Sequence, residues 1–315
     1  MKLRAWVLAL ALVGGALGAG QAEPLRVAQV YAAGTTIDAP TLGFRLTVPP
    51  GYQAELGPSE DAPGVALNLR GLEGRSTIII SVLPNAPANA LRTAFPAKLK
   101  LGQQEAVLTA PPTRAEVQVA RYRLPGGGVL TRTATVQTVS GGTPTRVTVM
   151  LPHSPDQSEA AVQVLSAVLR STVLIPADPV PAQVWATRLK VAQGVAFESI
   201  RRTSGVPTVF MGLCAGGGYA LSIKGSAEGG FQAGLKGQVT AVPLSAKAVA
   251  LKLTNAWGTS LGVIELNEET PQYTEMSLQL NAPPTDDDYL ILRSANTEAT
   301  HQLTGISLWC STPGR

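Results

Sequence analysis

An α+β domain built on an antiparallel sheet with packed helices, followed by an all-β sandwich of jelly-roll type, is the architecture expected of this chain of 315 residues. Three observations carry that expectation. The stretch Ile175-Pro176-Ala177-Asp178-Pro179-Val180-Pro181 is a stiff connector that separates two unlike halves. Ahead of it, segments of period-two alternation are combined with helix start signals. Behind it, short β-rich runs follow one another, separated by Gly, Pro and Asn. The expected divisions are an export signal at residues 1–22, a first domain at 36–175, a linker at 176–184 and a second domain at 185–315.

The first 22 residues have the three parts of a secretory signal: Lys2 and Arg4, then an apolar run over 5–17, then Gly20-Gln21-Ala22 as a small-residue cleavage site. The expected location is therefore periplasmic or extracellular, with the alternative that the signal stays as an anchor. The run is shorter than the roughly 20 residues that a membrane span needs. No later segment is long and apolar enough to span a bilayer. With Lys2 and Arg4 gone, 23 of the 25 Lys and Arg face 21 Asp and Glu, which leaves no electrostatic footprint for nucleic acid.

In the first half, Leu42, Phe44, Leu46 and Val48 alternate as in a half-buried strand that Pro49-Pro50-Gly51 ends. Residues 77–83 (TIIISVL) are apolar on both faces and predict a central strand, preceded by a hairpin turn at 71–74. Three strands are expected near 116–124, 129–139 and 145–151, joined by turns at 125–128 and 141–142. Ser154-Pro155-Asp156-Gln157 opens a helix with a capping Ser, Pro at the first helical position and Gln at the capping-box position. Ala161, Val164, Leu165 and Val168 give it an apolar face. A shorter helix is expected from near Asn85 to before Pro96.

The stretch Leu42-Gly43-Phe44-Arg45-Leu46-Thr47-Val48-Pro49-Pro50-Gly51-Tyr52, with the Ala/Val/Leu helix that runs out at Ser171-Thr172-Val173, resembles the PsbP-like family, which includes DcrB-type envelope proteins and Mog1. The resemblance covers about 140 residues. It implies a binding or assembly role and no chemistry.

In the second half, strands are expected near 208–214, 219–225, 231–240, 249–254, 262–266, 273–280, 289–294 and 303–310. Gln193-Gly194-Val195-Ala196-Phe197-Glu198 resembles the opening of galactose-binding-like jelly-roll carbohydrate-binding modules. Gln272-Tyr273 through Ala282-Pro283 is similar to their aromatic-led penultimate strand, and residues 303–308 to their closing strand, where those modules carry an Asp in place of Thr304-Gly305. The resemblance implies glycan binding and a structural Ca²⁺ at Glu198.

Two cysteines in an exported chain predict a Cys214–Cys310 bridge, the alternative being two separate buried thiols. His153 and His301 are the two histidines, far apart in sequence, so zinc chemistry on Cys and His lacks ligands. Gly258-Thr259-Ser260-Leu261-Gly262 matches G-x-S-x-G and precedes Asp286, Asp287, Asp288 and His301 in hydrolase order. A nucleophile elbow needs a strand before the Ser and a helix after it, and Val263-Ile264-Glu265-Leu266 reads as strand. Carboxylate pairs among Glu265, Glu268, Glu269 and Glu275 read more simply as a solvated acidic loop, and Asp286 to Asp288 as a charged turn. No catalytic residue is assigned.

Aromatic faces stack on pyranose rings, which makes Trp257, Tyr273 and Trp309 the expected ligand contacts. Trp185 follows the linker, and for each aromatic the alternative is a place at a core edge. Arg121, Arg123, Arg132 and Arg146 fall on neighbouring strands, as an anion-binding face or as surface pairs. The expected function is glycan binding by an exported non-enzymatic protein of the envelope or extracellular space, without a cofactor beyond the Ca²⁺. Its alternatives are a protein-assembly role through the first domain and, remotely, a serine hydrolase on Ser260 and His301.

Overall fold

The computed structural model describes residues 22–26, 29–59, 61, 63–72, 74, 76–101, 104–139, 141–181, 183–185, 196–199, 208–214, 217–224, 233–255, 258–266, 274–279 and 290–294. The described residues are mostly β, in sheets that are antiparallel except where Glu23–Pro24 pairs with Thr36–Ala39. The first half runs β1 (Glu23–Pro24), β2 (Thr36–Ala39), β3 (Phe44–Thr47), β4 (Tyr52–Pro58), β5 (Val65–Gly71), β6 (Ile78–Leu83), α1 (Ala90–Thr93), β7 (Lys98–Leu101), β8 (Gln104–Leu108), β9 (Gln118–Arg123), β10 (Val129–Thr138), β11 (Pro144–His153), α2 (Ser158–Ser171) and β12 (Thr172–Leu174). Eight strands form one sheet in the order β4-β5-β6-β11-β10-β9-β8-β7, and four form a second in the order β1-β2-β3-β12.

The local sequence explains these elements. The alternating Leu42, Phe44, Leu46 and Val48 are all buried, and the exposed Arg45 and Thr47 lie between them. β6 lies inside the larger sheet between β5 and β11, and its apolar run meets cover on both faces. The expected turns at 71–74, 125–128 and 141–142 join β5 to β6, β9 to β10 and β10 to β11.

The helices depart from expectation in detail. Pro155–Gln157 is a separate 3-10 turn, and α2 begins after it at Ser158. Ser154 makes no side-chain cap to the helix. A hydrogen bond from Ser154 instead leads the causes that hold the exposed Asp156 carboxyl below its usual range. Glu159 in the first turn of α2 and Arg170 in the last suit the helix dipole. The shorter helix is a single turn, α1, because Asn85 sits at φ 53° in the left-handed region and Pro87 follows it.

The main core lies between one face of the eight-stranded sheet, α2 and the small sheet. Leu56, Leu67, Leu69, Ile78, Ile80, Val147 and Val149 meet Ile37, Phe44 and Leu46 there, and α2 adds Ala161, Leu165, Val168 and Leu169. A second cluster around Phe95, Leu99, Tyr122, Leu130 and Met150 fills the opposite face, where β7 and β8 end the sheet.

The second half contains β13 (Ala196–Ser199), β14 (Thr208–Cys214), β15 (Gly218–Lys224), β16 (Ala233–Pro243), β17 (Ala248–Asn255), β18 (Gly258–Leu266), β19 (Thr274–Gln279) and β20 (Leu290–Ser294). Seven of these match expected segments; the eighth expected segment, 303–310, lies outside the described residues. The sandwich is corrected. A jelly roll connects two sheets through Greek keys, whereas here each strand pairs with its neighbour in sequence and β13 pairs with β20, so the sheet closes into an antiparallel up-and-down barrel.

The β16–β17 hairpin packs on the first half, and β18 also meets β4. Its Val242, Leu244 and Ala250 are buried in the main core. Thr41 Oγ1 donates to the Leu244 carbonyl at 2.7 Å, Trp185 Nε1 to the Ser245 carbonyl at 2.9 Å and Lys252 Nζ to the Ser59 carbonyl at 2.6 Å. Trp185 is thus a buried anchor between linker and barrel, not a ligand contact.

Candidate functional site

The barrel register places the strands that border two of the expected glycan contacts in sequence. Trp257, Tyr273 and Trp309 themselves lie outside the described residues, but the strands beside two of them do not. β17 and β18 pair from Ala248↔Glu265 to Asn255↔Gly258, and Asn255 and Gly258 lie at one end of the barrel. β18 then runs back to Leu266, which opposes Thr274 at the start of β19. The residues flanking Trp257 and Tyr273 therefore sit at opposite ends of β18, about 25–30 Å apart at the rise of an antiparallel strand. One sugar cannot bridge that span.

The remaining expected residues fall on separate elements. Cys214 ends β14 and is disulfide-bonded; the chain's other cysteine is Cys310, outside the described residues. Glu198 occupies a position on β13 directly opposite Arg293 of β20, which in turn opposes Glu275 of β19. Among the described residues no group of three His, Cys, Asp or Glu is arranged to hold a metal.

Ser260 lies inside β18, opposite Leu253, with strand on both sides of it. That is the wrong context for a nucleophile elbow. His301 lies outside the described residues. His153 is buried, with Nε2 2.7 Å from Thr131 Oγ1 and Nδ1 2.7 Å from the Ser154 carbonyl, so both ring nitrogens are engaged.

The four arginines do not share a face. Register pairs Arg121 with Thr131 and Arg123 with Val129, on the side of the sheet away from Arg132. Both are exposed. Arg132 opposes Met150, and Arg146 stands four residues before Met150 on β11, so these two share the other face and are buried. Arg132 is fully buried and donates from one nitrogen, Nη2, to both oxygens of Asp61 at 2.8 and 2.7 Å. Arg146 Nη1 donates to the Ala90 carbonyl at 3.2 Å and to Thr93 Oγ1 at 3.3 Å. Burial lowers the Arg146 pKa, Asp61 opposes that shift and Arg132 adds to it. Burial pushes the Tyr122 phenol up to about 12, so it remains a donor through neutral pH.

An apolar groove of about 420 Å³ opens between α2 and the β3–β4 turn. Val48, Pro49, Pro50 and Tyr52 form one wall, and Val164, Ala167 and Val168 the other. Two prolines keep the turn wall stiff, and the exposed Ala167 leaves the helix wall low. Sequence reasoning used Pro49-Pro50-Gly51 as a strand stop and the Ala/Val helix as a packing face. It missed that the two border one cleft, because their packing partners are distant in sequence.

No family model matches the chain, and no curated protein matches it. Among solved structures it is similar to the di-domain ARO/CYC StfQ from the steffimycin biosynthetic pathway, at 10% identity over 83% of this chain and 81% of that one, with a TM-score of 0.18. A likeness of that size carries no argument about fold or activity.

Proposed function

We propose that the chain is an exported, non-enzymatic binding protein of the cell envelope or extracellular space, and that its first half binds an apolar ligand in the groove beside α2. The observation that carries this reading is the groove itself. Its volume, about 420 Å³, lies within the range of small-ligand pockets. Its walls are hydrocarbon and one phenol ring, with hydroxyls only at Thr47, Tyr52 and Ser171. Such a lining takes an acyl chain or an aromatic ring by burial and offers no charged group for catalysis. The packing of α2 on the sheet supports the PsbP-like reading of residues 36–175, whose members bind and assemble.

The test is titration of the exported chain with a fluorescent fatty-acid analogue. Saturable binding that Ala167→Trp abolishes, with the unfolding midpoint kept within a few degrees, supports the reading. Equal binding by both proteins refutes it.

Glycan binding by the barrel is the second reading. It rests on the β17–β18 register, in which Asn255 opposes Gly258 at one end of the barrel, and on the aromatic Trp257 that follows Ala256 in the sequence between them, since aromatic faces stack on sugar rings. The strand order favours Trp257 alone over a joint site with Tyr273. Retention of the exported chain on insoluble polysaccharides or cell-wall material, with and without Ca²⁺, and its loss in Trp257→Ala, tests it.

A further inference from the structure

Among the described residues, five buried polar atoms on one face of the eight-stranded sheet have no hydrogen-bond partner: Arg132 Nε and Nη1, Arg146 Nε, Tyr122 OH and Thr148 Oγ1. Their placement follows from register. Tyr122 opposes Leu130, two residues from Arg132 on β10; Thr148 opposes Ala134; Arg146 opposes Val136. Ala120 and Ala134 keep the sheet surface low between the longer side chains. Asp61, on the β4–β5 connection, and α1 cover the cluster.

Two features of this set point to a ligand. First, each of the five atoms can donate. Unpaired donors in a protein interior cost roughly 1–3 kcal/mol apiece, more when charged, and the two oxygens of an oxyanion such as a carboxylate accept from several donors at once. Second, among the described residues the charges do not balance. Two buried guanidinium groups there face one carboxylate, Asp61, whose side chain is 11% exposed. Asp61 takes only Nη2 of Arg132, which leaves Nε and Nη1 unpaired among the described residues. One further negative charge closes the balance.

We propose that Arg132, Arg146, Tyr122 and Thr148 form a binding site for one small monovalent oxyanion, a carboxylate, beneath Asp61 and α1. The site lies on the face of the sheet away from α2 and its groove, so it stands or falls independently of the apolar-ligand reading.

The experiment is thermal unfolding and calorimetry of the exported chain in sodium formate, acetate, sulfate or chloride at matched ionic strength, after incubation and again after refolding in each salt. The expected result is a saturable rise in midpoint with formate and acetate over chloride. The apparent Kd should rise at least tenfold in Arg146→Met and several-fold in Tyr122→Phe. Tyr122→Phe removes one hydroxyl and keeps the ring, so it remains informative if Arg146→Met fails to fold. Equal midpoints in formate and chloride overturn the proposal, since screening alone then explains the salt effect. Sulfate binding more tightly than both carboxylates overturns the charge assignment. A formate effect unchanged in Tyr122→Phe and in any folded Arg146→Met overturns the site.

Discussion

The ammonium of Lys252, on the barrel strand β17, donates at 2.6 Å to the carbonyl of Ser59, at the end of the connection that carries Asp61. The Lys252 stem also lies against Gly64, which sits at φ 107° and closes the same connection with a hydrogen bond from Ser59 N to its carbonyl. The barrel thus holds in place the segment that pairs with Arg132. Lys252→Met keeps the stem and removes the charge-assisted bond, worth about 1.5–3 kcal/mol. A loss of that size in urea unfolding, with faster amide exchange at 59–64, is the expected outcome. Unchanged exchange there would show that the barrel does not restrain the connection.

Asp61 is the acidic partner of a guanidinium that is fully buried. Removing one member of a buried pair leaves the other charge uncompensated, at about 3–5 kcal/mol. Asp61→Ala should cost about 3 kcal/mol by equilibrium denaturation. Asp61→Ala with Arg132→Met should recover most of that, because the double variant leaves no unpaired charge from the pair.

Tyr122 makes a pH prediction. Its phenol is held at about 12 in the folded chain against an ordinary value near 10. Below pH 10 it is neutral folded or unfolded and contributes no pH dependence. Between about pH 10 and 12 the unfolded chain loses the proton and the folded chain keeps it, so stability falls by about 2–3 kcal/mol across that window. Urea unfolding at pH 9, 10 and 11 should show the fall, and Tyr122→Phe should flatten it. Of the six tyrosines, this one should resist ionisation until the alkaline limit in an absorbance titration.

What the sequence makes legible is local. Alternation locates β3, because one side of it must be apolar and the other wet, and β-rich runs bounded by Gly, Pro and Asn locate most barrel strands. Alternation does not say which strand a neighbour pairs with, so it could not distinguish the barrel from a sandwich; β13, four residues long, closes the ring only through its pairing with β20. β4 is the harder case: Tyr52, Ala54 and Leu56 alternate with Gln53 and Glu55, but the run is only five residues long, lies against Pro49-Pro50-Gly51 and ends in Gly57-Pro58, so it reads as part of a turn although Ala54 and Leu56 are among the most buried residues. The arginines fail the same way. Four on adjacent strands look like one patch, but register turns Arg121 and Arg123 outward and leaves Arg132 and Arg146 in the interior.

The Tyr31 hydroxyl ties down the segment just past the expected cleavage point. It accepts from Arg26 N at 2.6 Å and donates to the Pro24 carbonyl at 2.7 Å, while Glu23 and Pro24 pair in parallel with β2. Tyr31→Phe leaves a buried ring and removes both bonds. The expected loss is about 1–2 kcal/mol, with earlier proteolysis at residues 23–30 in a limited-digestion time course. An unchanged digestion pattern would mean that the strand pairing alone holds the segment.

The barrel register is itself testable at two glycines. Gly237 on β16 lies directly opposite Tyr219, and a Cβ there would run into the Thr254 carbonyl oxygen and the Tyr219 ring. A backbone oxygen in a paired strand has little room to move, so overpacking at Gly237→Ala should cost about 1–3 kcal/mol. Gly218, on the adjacent strand β15, is the control. A Cβ there would stand 3.4 Å from the Gly237 carbonyl oxygen and 3.5 Å from Cys214 Cβ, which is ordinary contact, and Gly218→Ala should stay within about 0.5 kcal/mol. Because the β16–β17 hairpin is packed into the main core, a loosened β16 should also weaken protection around Leu244. Equal costs at the two glycines would mean that β15 and β16 are paired in a different register.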